Sequence, residues 1–108
     1  MNPFYEEVYA LARQIPFGKV VSYSQIAWKL GQINGARAVG RAMRLSPQDV
    51  PAHRVVRADG VLVGPSANGR KAALVDEGVV FKASGRIDMN SCSWSMSEIA
   101  PAQMKEPL

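Results

Sequence analysis

The chain has 108 residues, 47% of them hydrophobic, and a formal net charge of +4 at pH 7. This length suffices for one domain with one modest core, and the single cysteine and single histidine exclude a disulfide framework and a four-ligand zinc cluster. With no signal-peptide pattern at the N-terminus and no apolar run approaching ~18 residues, we expect a cytoplasmic monomer without membrane contact, metal or other cofactor.

The first predicted helix begins after Asn2, a favoured N-cap residue, and has Pro3 at its first position. Five apolar residues form a stripe along one face: Phe4, Val8, Leu11, Ala12 and Ile15. Because proline cannot continue a helix, we expect this one to end at Pro16.

The next two predicted helices are short. Ser22 and Gln25 have the spacing of a capping box, and Gly31 is the expected stop of that helix. A turn at Asn34-Gly35 leads into a third helix, spanning about residues 36–45 and ended by Ser46-Pro47. Two short helices joined by a glycine-containing turn are typical of a helix-turn-helix.

The segments 54–56 and 61–63 flank Asp59-Gly60, a favoured hairpin turn pair, and we interpret them as a wing. The predicted fold is therefore a mainly helical α/β domain, a winged helix-turn-helix with a small β-hairpin wing, over residues 1–82. Residues 64–69 are predicted as a loop, 70–77 as a helix closed by Gly78, and 79–81 as a short apolar strand. The tail, 83–108, lacks periodicity and is expected to be partly disordered, with Trp94 as its anchor.

The third helix carries most of the candidate chemistry. Arg37, Arg41 and Arg44 share one face, with the apolar Val39, Ala42 and Met43 opposite. Ala36, Ala38 and Gly40 are small enough to let this helix approach a groove closely. Residues 1–57 hold eight Lys and Arg against three Asp and Glu, which favours a nucleic-acid partner. The alternative is a solvated basic face.

One motif identifies a family. Pro51-Ala52-His53-Arg54-Val55 resembles the Pro-Cys-His-Arg-Val run of the O6-alkylguanine-DNA alkyltransferases, in which the cysteine accepts an alkyl group from damaged guanine. Further family landmarks follow the same order over residues 4–81: Ile15-Pro16-Phe17-Gly18-Lys19-Val20, Ser22-Tyr23-Ser24-Gln25-Ile26-Ala27, Ala36-Arg37-Ala38-Val39-Gly40 and Glu77-Gly78. With Ala52 at the cysteine position, the chain resembles the alkyltransferase-like proteins, which lack the acceptor.

The resemblance implies a mode of DNA binding. Helix-turn-helix geometry alone would send the third helix into the major groove, whereas the family places it in the minor groove, where it reads damage. An arginine at the Arg37 position replaces the extruded nucleotide, and a tyrosine at the Tyr23 position helps to rotate that nucleotide outward. The expected DNA-binding residues are Tyr23, Ala36, Arg37, Ala38, Gly40, Arg41, Arg44 and Ser46, the last standing where the family usually has asparagine.

The resemblance also implies a lesion pocket without a nucleophile, because a methyl side chain cannot attack an alkyl group. Its expected lining residues are Tyr23, Pro51, Ala52, Val63 and Ser66. His53 and Glu77 match the relay that activates the transferase cysteine, and with no thiol to deprotonate we expect them to be structural.

These residues lead to a functional hypothesis. The chain binds double-stranded DNA containing O6-alkylguanine, flips the lesion and flags it for nucleotide excision repair proteins, without acting as an enzyme. Two alternatives stay open: a sequence-specific winged-helix regulator, and a methyltransferase that uses Cys92 as acceptor.

Overall fold

The computed structural model describes residues 2–32 and 34–96. Its elements, in chain order, are α1 (Pro3–Ala12), β1 (Val21–Ser22), α2 (Tyr23–Lys29), α3 (Ala36–Arg44), a 3-10 turn (Ala52–Arg54), β2 (Val55–Val56), α4 (Ala67–Asp76) and α5 (Met89–Cys92). Within these two ranges, none of the helices has the length and apolar character needed to cross a membrane. The mainly helical α/β class predicted from the sequence is confirmed.

Helix α1 begins as predicted, with the Phe4 amide donating to Asn2 Oδ1 at 2.9 Å. The helix ends at Ala12, earlier than the expected stop at Pro16, although Ile15 is still buried in the turn that follows. Tyr9 was absent from the predicted stripe but is buried, because its hydroxyl finds a partner inside the protein. It donates to the carbonyl of Ala42 at 2.9 Å and so connects α1 to α3.

The helix-turn-helix consists of α2 and α3. The Gln25 amide donates to Ser22 Oγ at 3.1 Å while the Ser22 amide donates to Gln25 Oε1 at 2.9 Å, so the predicted capping box is confirmed. Gly31, with φ at +80°, follows α2 in a left-handed conformation that other residues rarely adopt. The buried face of α3 packs against α1 and α2, and consists of Val39, Ala42 and Met43.

The predicted hairpin wing is wrong. β2 pairs in parallel with β1, Val21 opposite Val55 and Ser22 opposite Val56. Both residues of β2 are fully buried, which suits a parallel pair covered on both faces better than one arm of an exposed wing.

The Asp59-Gly60 turn exists, but the chain beyond it does not return along β2. The Val61 amide donates to Asp59 Oδ1 at 3.1 Å, and the Gly60 carbonyl accepts from the Ile87 amide at 2.9 Å. The turn is therefore held by the segment around Ile87, and residues 61–63 form a loop without strand pairing.

Helix α4 begins three residues before its predicted start at residue 70 and ends at Asp76, one residue before its predicted end. Gly78, whose φ is +90°, follows the helix where the sequence predicted its stop. The apolar strand expected at residues 79–81 is reduced to a single antiparallel bridge between Phe81 and Ile87. Val80 in its centre is exposed, so this segment does not bury the continuous apolar surface of an inner strand.

The segment that follows residue 82 packs on the domain as far as it is described. Ile87, Cys92, Trp94 and Met96 are buried. Residues 92–94 lie beside β1, because the Val20 amide donates to the Cys92 carbonyl and the Trp94 amide donates to the Val20 carbonyl, both at 2.9 Å. Trp94 is thus the anchor that the sequence indicated. The rest of the expected tail, residues 97–108, lies outside the described residues.

Candidate nucleic-acid interface

Helix α3 presents a basic face to the outside. Arg37, Arg41 and Arg44 are all exposed, and none of them takes part in the ion pairs found among the described residues. Their charges are therefore available to an anionic partner. Two of them, Arg41 and Arg44, lie in the last turn of the helix, where cations also stabilise the helix dipole.

The same helix has small side chains where it would approach such a partner. Ala36, Ala38 and Gly40 are half-buried. A Cβ atom built on Gly40 would meet no atom within 4 Å, so packing inside the protein does not require glycine there. A methyl group at this position would occupy the open space in front of the helix.

A cavity of about 680 Å³ opens beside α3, a volume within the roughly 300–1,000 Å³ typical of small-molecule sites. It is bounded by α3 on one side and by the loop that replaces the expected wing on the other. Its lining residues are Tyr23, Gly40, Met43, Arg44, Ala52, Arg57, Val61, Val63, Gly64, Pro65, Ser66 and Arg70.

The structure brings together four of the five expected pocket residues: Tyr23, Ala52, Val63 and Ser66 all line this cavity. Pro51 is half-buried next to Ala52 but does not contribute to the lining. Tyr23 and Ala52 also pack against the larger core, which fixes that side of the cavity to the body of the domain.

Sequence reasoning missed two cationic contributions to this cavity, Arg57 and Arg70. The incorrect hairpin prediction hid them, because it placed Arg57 and Val61 in a wing beside the helices. The useful signal was the loop predicted at residues 64–69, because its first three residues, Gly64, Pro65 and Ser66, form a wall of the cavity before α4 begins at Ala67.

A part-buried cluster of hydrogen bonds around Glu77 supports the Ala52 side of the cavity. Glu77 accepts hydrogen bonds from His53 Nε2 at 2.7 Å, from Arg54 Nε and Nη2, both at 2.9 Å, and from the Gly18 amide at 3.2 Å. Arg54 also donates through Nη1 to the Ile15 carbonyl at 2.9 Å. The cluster connects the end of α4, the 3-10 turn and the segment after α1, so it holds residue 52 in place.

The charge state of this cluster follows from its contacts. Burial alone would raise the pKa of Glu77, but hydrogen bonds from Arg54, His53 and the Gly18 amide outweigh it and lower the pKa from 4.5 to about 2. Glu77 is therefore ionised at neutral pH and accepts every bond, so the His53 tautomer carries a proton on Nε2.

Among the residues that the structure describes, no cysteine thiol lines this cavity. The side chain at the floor is the methyl group of Ala52. Cys92 is 4% exposed, and its Sγ accepts a hydrogen bond from the Val80 amide at 3.3 Å. Within residues 2–32 and 34–96, no three His, Cys, Asp or Glu side chains are grouped to hold a metal ion.

Comparison with known proteins identifies the family. Residues 3–79 match the model of the 6-O-methylguanine DNA methyltransferase DNA-binding domain. The DNA base-flipping protein of Escherichia coli is 34% identical over 98 residues, which are 87% of this chain and 76% of that protein. Alkyltransferase-like protein 1 of Schizosaccharomyces pombe is 39% identical over 85 residues, covering 73% of this chain and 79% of that protein.

A solved structure agrees with this relationship. S. pombe Atl1, crystallised with damaged DNA containing O6-carboxymethylguanine, superposes with a TM-score of 0.76 at 33% identity, over 88% of this chain and 97% of that chain. The chain therefore belongs to the family of the 6-O-methylguanine DNA methyltransferase DNA-binding domain, which includes the alkyltransferase-like proteins.

Proposed function

We propose that this protein recognises O6-alkylguanine in double-stranded DNA, holds the flipped nucleotide in the cavity beside Ala52, and does not remove the alkyl group. One observation carries this proposal: Ala52, at the position of the family's acceptor cysteine, lines a cavity large enough for a base, directly beside the basic face of α3. Related proteins whose names specify base flipping or a complex with damaged DNA support it.

Each part of the interface has a role in this proposal. Helix α3 enters the minor groove, Arg37 fills the gap in the stack, and Tyr23 lies at the cavity edge where the nucleotide turns outward. A guanidinium suits the gap because it is planar and can stack and hydrogen-bond together. Flipping costs a few kcal/mol, and less for a weakened pair, so alkylated guanines open more readily than normal ones.

The proposal that no alkyl transfer occurs rests on the placement of both candidate acceptors. Ala52 has no nucleophilic atom, and the Cys92 thiol is buried away from solvent, where a structural cysteine is inert. A bound lesion is therefore unchanged, and some other process must remove it. We propose handover to nucleotide excision repair by a cytoplasmic, monomeric reader.

Competition binding tests this function. Matched duplexes with guanine or O6-methylguanine at one position are titrated with the protein, and the recovered protein is weighed by mass spectrometry. We expect tighter binding to the damaged duplex and an unchanged protein mass. A gain of one CH2 located at Cys92 would establish a methyltransferase instead, and binding that follows sequence while ignoring damage would establish a regulator.

The handover step needs its own test. A nucleotide excision nuclease system is assayed on O6-alkylguanine duplex with and without this protein. We expect faster incision with the protein present and no acceleration on the undamaged duplex. Equal incision rates on damaged DNA would reject the handover while leaving lesion recognition intact.

A further inference from the structure

The cavity beside Ala52 is more positively charged than a neutral guanine base requires. Three arginines contribute to its lining, Arg44, Arg57 and Arg70, and no Asp or Glu of the described residues does. Most of the other lining groups are apolar side chains or backbone, and they offer no negative charge. The lining therefore favours an anionic group within the cavity.

The three arginines differ in how far their charges are compensated. Arg57 forms an ion pair with Asp59 at 2.8 Å, which offsets its charge. Arg44 lies exposed on the basic face of α3, the helix that the proposed function places in the minor groove. Within residues 2–32 and 34–96, the acceptors that hold Arg70 are neutral: its Nε donates to Ser66 Oγ at 3.2 Å and its Nη2 to the Val63 carbonyl.

Arg70 thus combines a fixed position with an uncompensated charge. Two of its N–H groups bind the loop that forms the cavity wall, which leaves hydrogens on Nη1 and Nη2 for another partner. A guanidinium edge with two free N–H donors can bind both oxygens of a carboxylate. A neutral group with a single acceptor would satisfy only one of these donors.

We infer that this cavity selects O6-alkylguanines whose alkyl group ends in a carboxylate, and that Arg70 binds that carboxylate. The inference rests on the proposed function, since it requires the lesion to occupy the cavity. The competing role for Arg70 is to bind the phosphate of the flipped nucleotide. That role would make Arg70 equally important for every adduct.

A matched pair of lesions separates these roles. O6-carboxymethylguanine and O6-carbamoylmethylguanine have the same number of heavy atoms and differ in charge. Duplexes with each lesion, and with guanine, are titrated at physiological salt. We expect the carboxymethyl duplex to bind about tenfold more tightly than the carbamoylmethyl duplex, a modest value for a charge-assisted hydrogen bond at a partly exposed site.

Variants assign the preference to a residue. In Arg70→Gln the ratio of the affinities for the two lesion duplexes should fall to about one. Arg70→Lys should retain part of the preference, because the positive charge remains. Arg41→Gln removes a charge from α3 outside the cavity lining, and should weaken the binding of both lesion duplexes by the same factor. Glutamine and lysine are both good helix formers, and thermal melting establishes that each variant is folded.

Each outcome is decisive. Equal affinities for the two lesions in the wild-type protein would overturn the inference, and this arm does not depend on any variant folding. If Arg70→Gln bound both lesion duplexes more weakly but kept the same ratio of affinities, Arg70 would be assigned to a phosphate. That result would also overturn the inference. If neither lesion bound better than guanine, the proposed function itself would fail.

Discussion

His53 Nε2 and Glu77 Oε2 lie 2.7 Å apart, and His53 directly follows Ala52, the residue that we propose to stand where the family has its acceptor cysteine. In this chain the pair has no thiol to activate. Glu77 also accepts hydrogen bonds from Arg54 and the Gly18 amide. These contacts position Ala52, and we call the group formed by Glu77, His53, Arg54 and the Gly18 amide the brace. We expect the loss of Arg54, the cationic partner of the part-buried Glu77 carboxylate, to be costly, because the carboxylate charge would be left uncompensated. These contacts give His53 and Glu77 a structural role.

The brace predicts a pH dependence of stability. The folded pKa of Glu77, about 2, is below its ordinary value of 4.5, so its contribution is present above pH 4.5 and is lost as the pH falls toward 2. The Glu77 side chain is only 7% exposed, and we expect up to about 3 kcal/mol of unfolding free energy to disappear over this window. Denaturant titrations at a series of pH values measure it.

A surface ion pair provides the control. Arg13 and Asp49 are 2.8 Å apart, with side chains 41% and 66% exposed, so Asp49→Asn should leave the acid transition almost unchanged. Glu77→Gln should flatten it and lower stability at pH 7. A wild-type stability that is constant from pH 5 to pH 2 would contradict the role given to Glu77.

Two arginines of α3 are expected to differ in function. Arg37→Ala should weaken binding to an O6-methylguanine duplex by about 1–3 kcal/mol and reduce discrimination against undamaged DNA, the scale of a lost stacking contact. Arg44→Ala should weaken binding to damaged and undamaged DNA alike. It should also reduce the slope of log affinity against log salt concentration by about one. Titrations of both variants at several salt concentrations provide the comparison. If Arg37→Ala discriminated as well as the wild type, Arg37 would not occupy the stack.

Gly40 gives a prediction in which stability and binding move in opposite directions. Gly40→Ala should stabilise the helix by about 0.5–1 kcal/mol, because alanine has the better helix propensity and the structure leaves room for its methyl group. The same methyl group should weaken DNA binding if α3 enters a groove. Gly69→Ala, in α4 and equally unobstructed, should stabilise without affecting binding. Unchanged binding by Gly40→Ala would argue against close approach at this turn of α3.

Ala52 is expected to set the size of adduct that the cavity accepts. Each additional buried methylene of the adduct should improve binding by up to ~0.8 kcal/mol where it fits. Ala52→Leu fills the floor, and should therefore penalise O6-benzylguanine and O6-butylguanine duplexes more than an O6-methylguanine duplex. Titration against the three lesions tests this. The same order of affinities in both proteins would mean that residue 52 does not contact the adduct.

The helices could be predicted from the sequence because their signals are local. The Ser22–Gln25 capping box and the Asn2 cap depend on neighbours within three residues, and both are present in the structure. The basic and buried faces of α3 were predictable for the same reason, since helical periodicity alone separates Arg41 from Val39.

Long-range pairing could not be predicted in this way. Asp59-Gly60 is a good hairpin signal, but the partner of Val55 is Val21, and the partner of Gly60 is Ile87. Neither pairing leaves a local trace in the sequence. The cavity wall depends on both, which is why Arg57 and Arg70 appeared only with the structure.

The central claim is that the alkylated base lies beside residue 52, and a disulfide trap tests it most directly. Ala52→Cys is mixed with a duplex whose O6 adduct carries a mixed disulfide with a small thiol. Attack by the protein thiolate would release the small thiol and join the protein to the DNA. Two controls, wild type with its buried Cys92 and Asn90→Cys at an exposed position of α5, measure background. We predict a reducible cross-link for Ala52→Cys alone. Tight binding without this cross-link, or equal cross-linking by Asn90→Cys, would contradict the account.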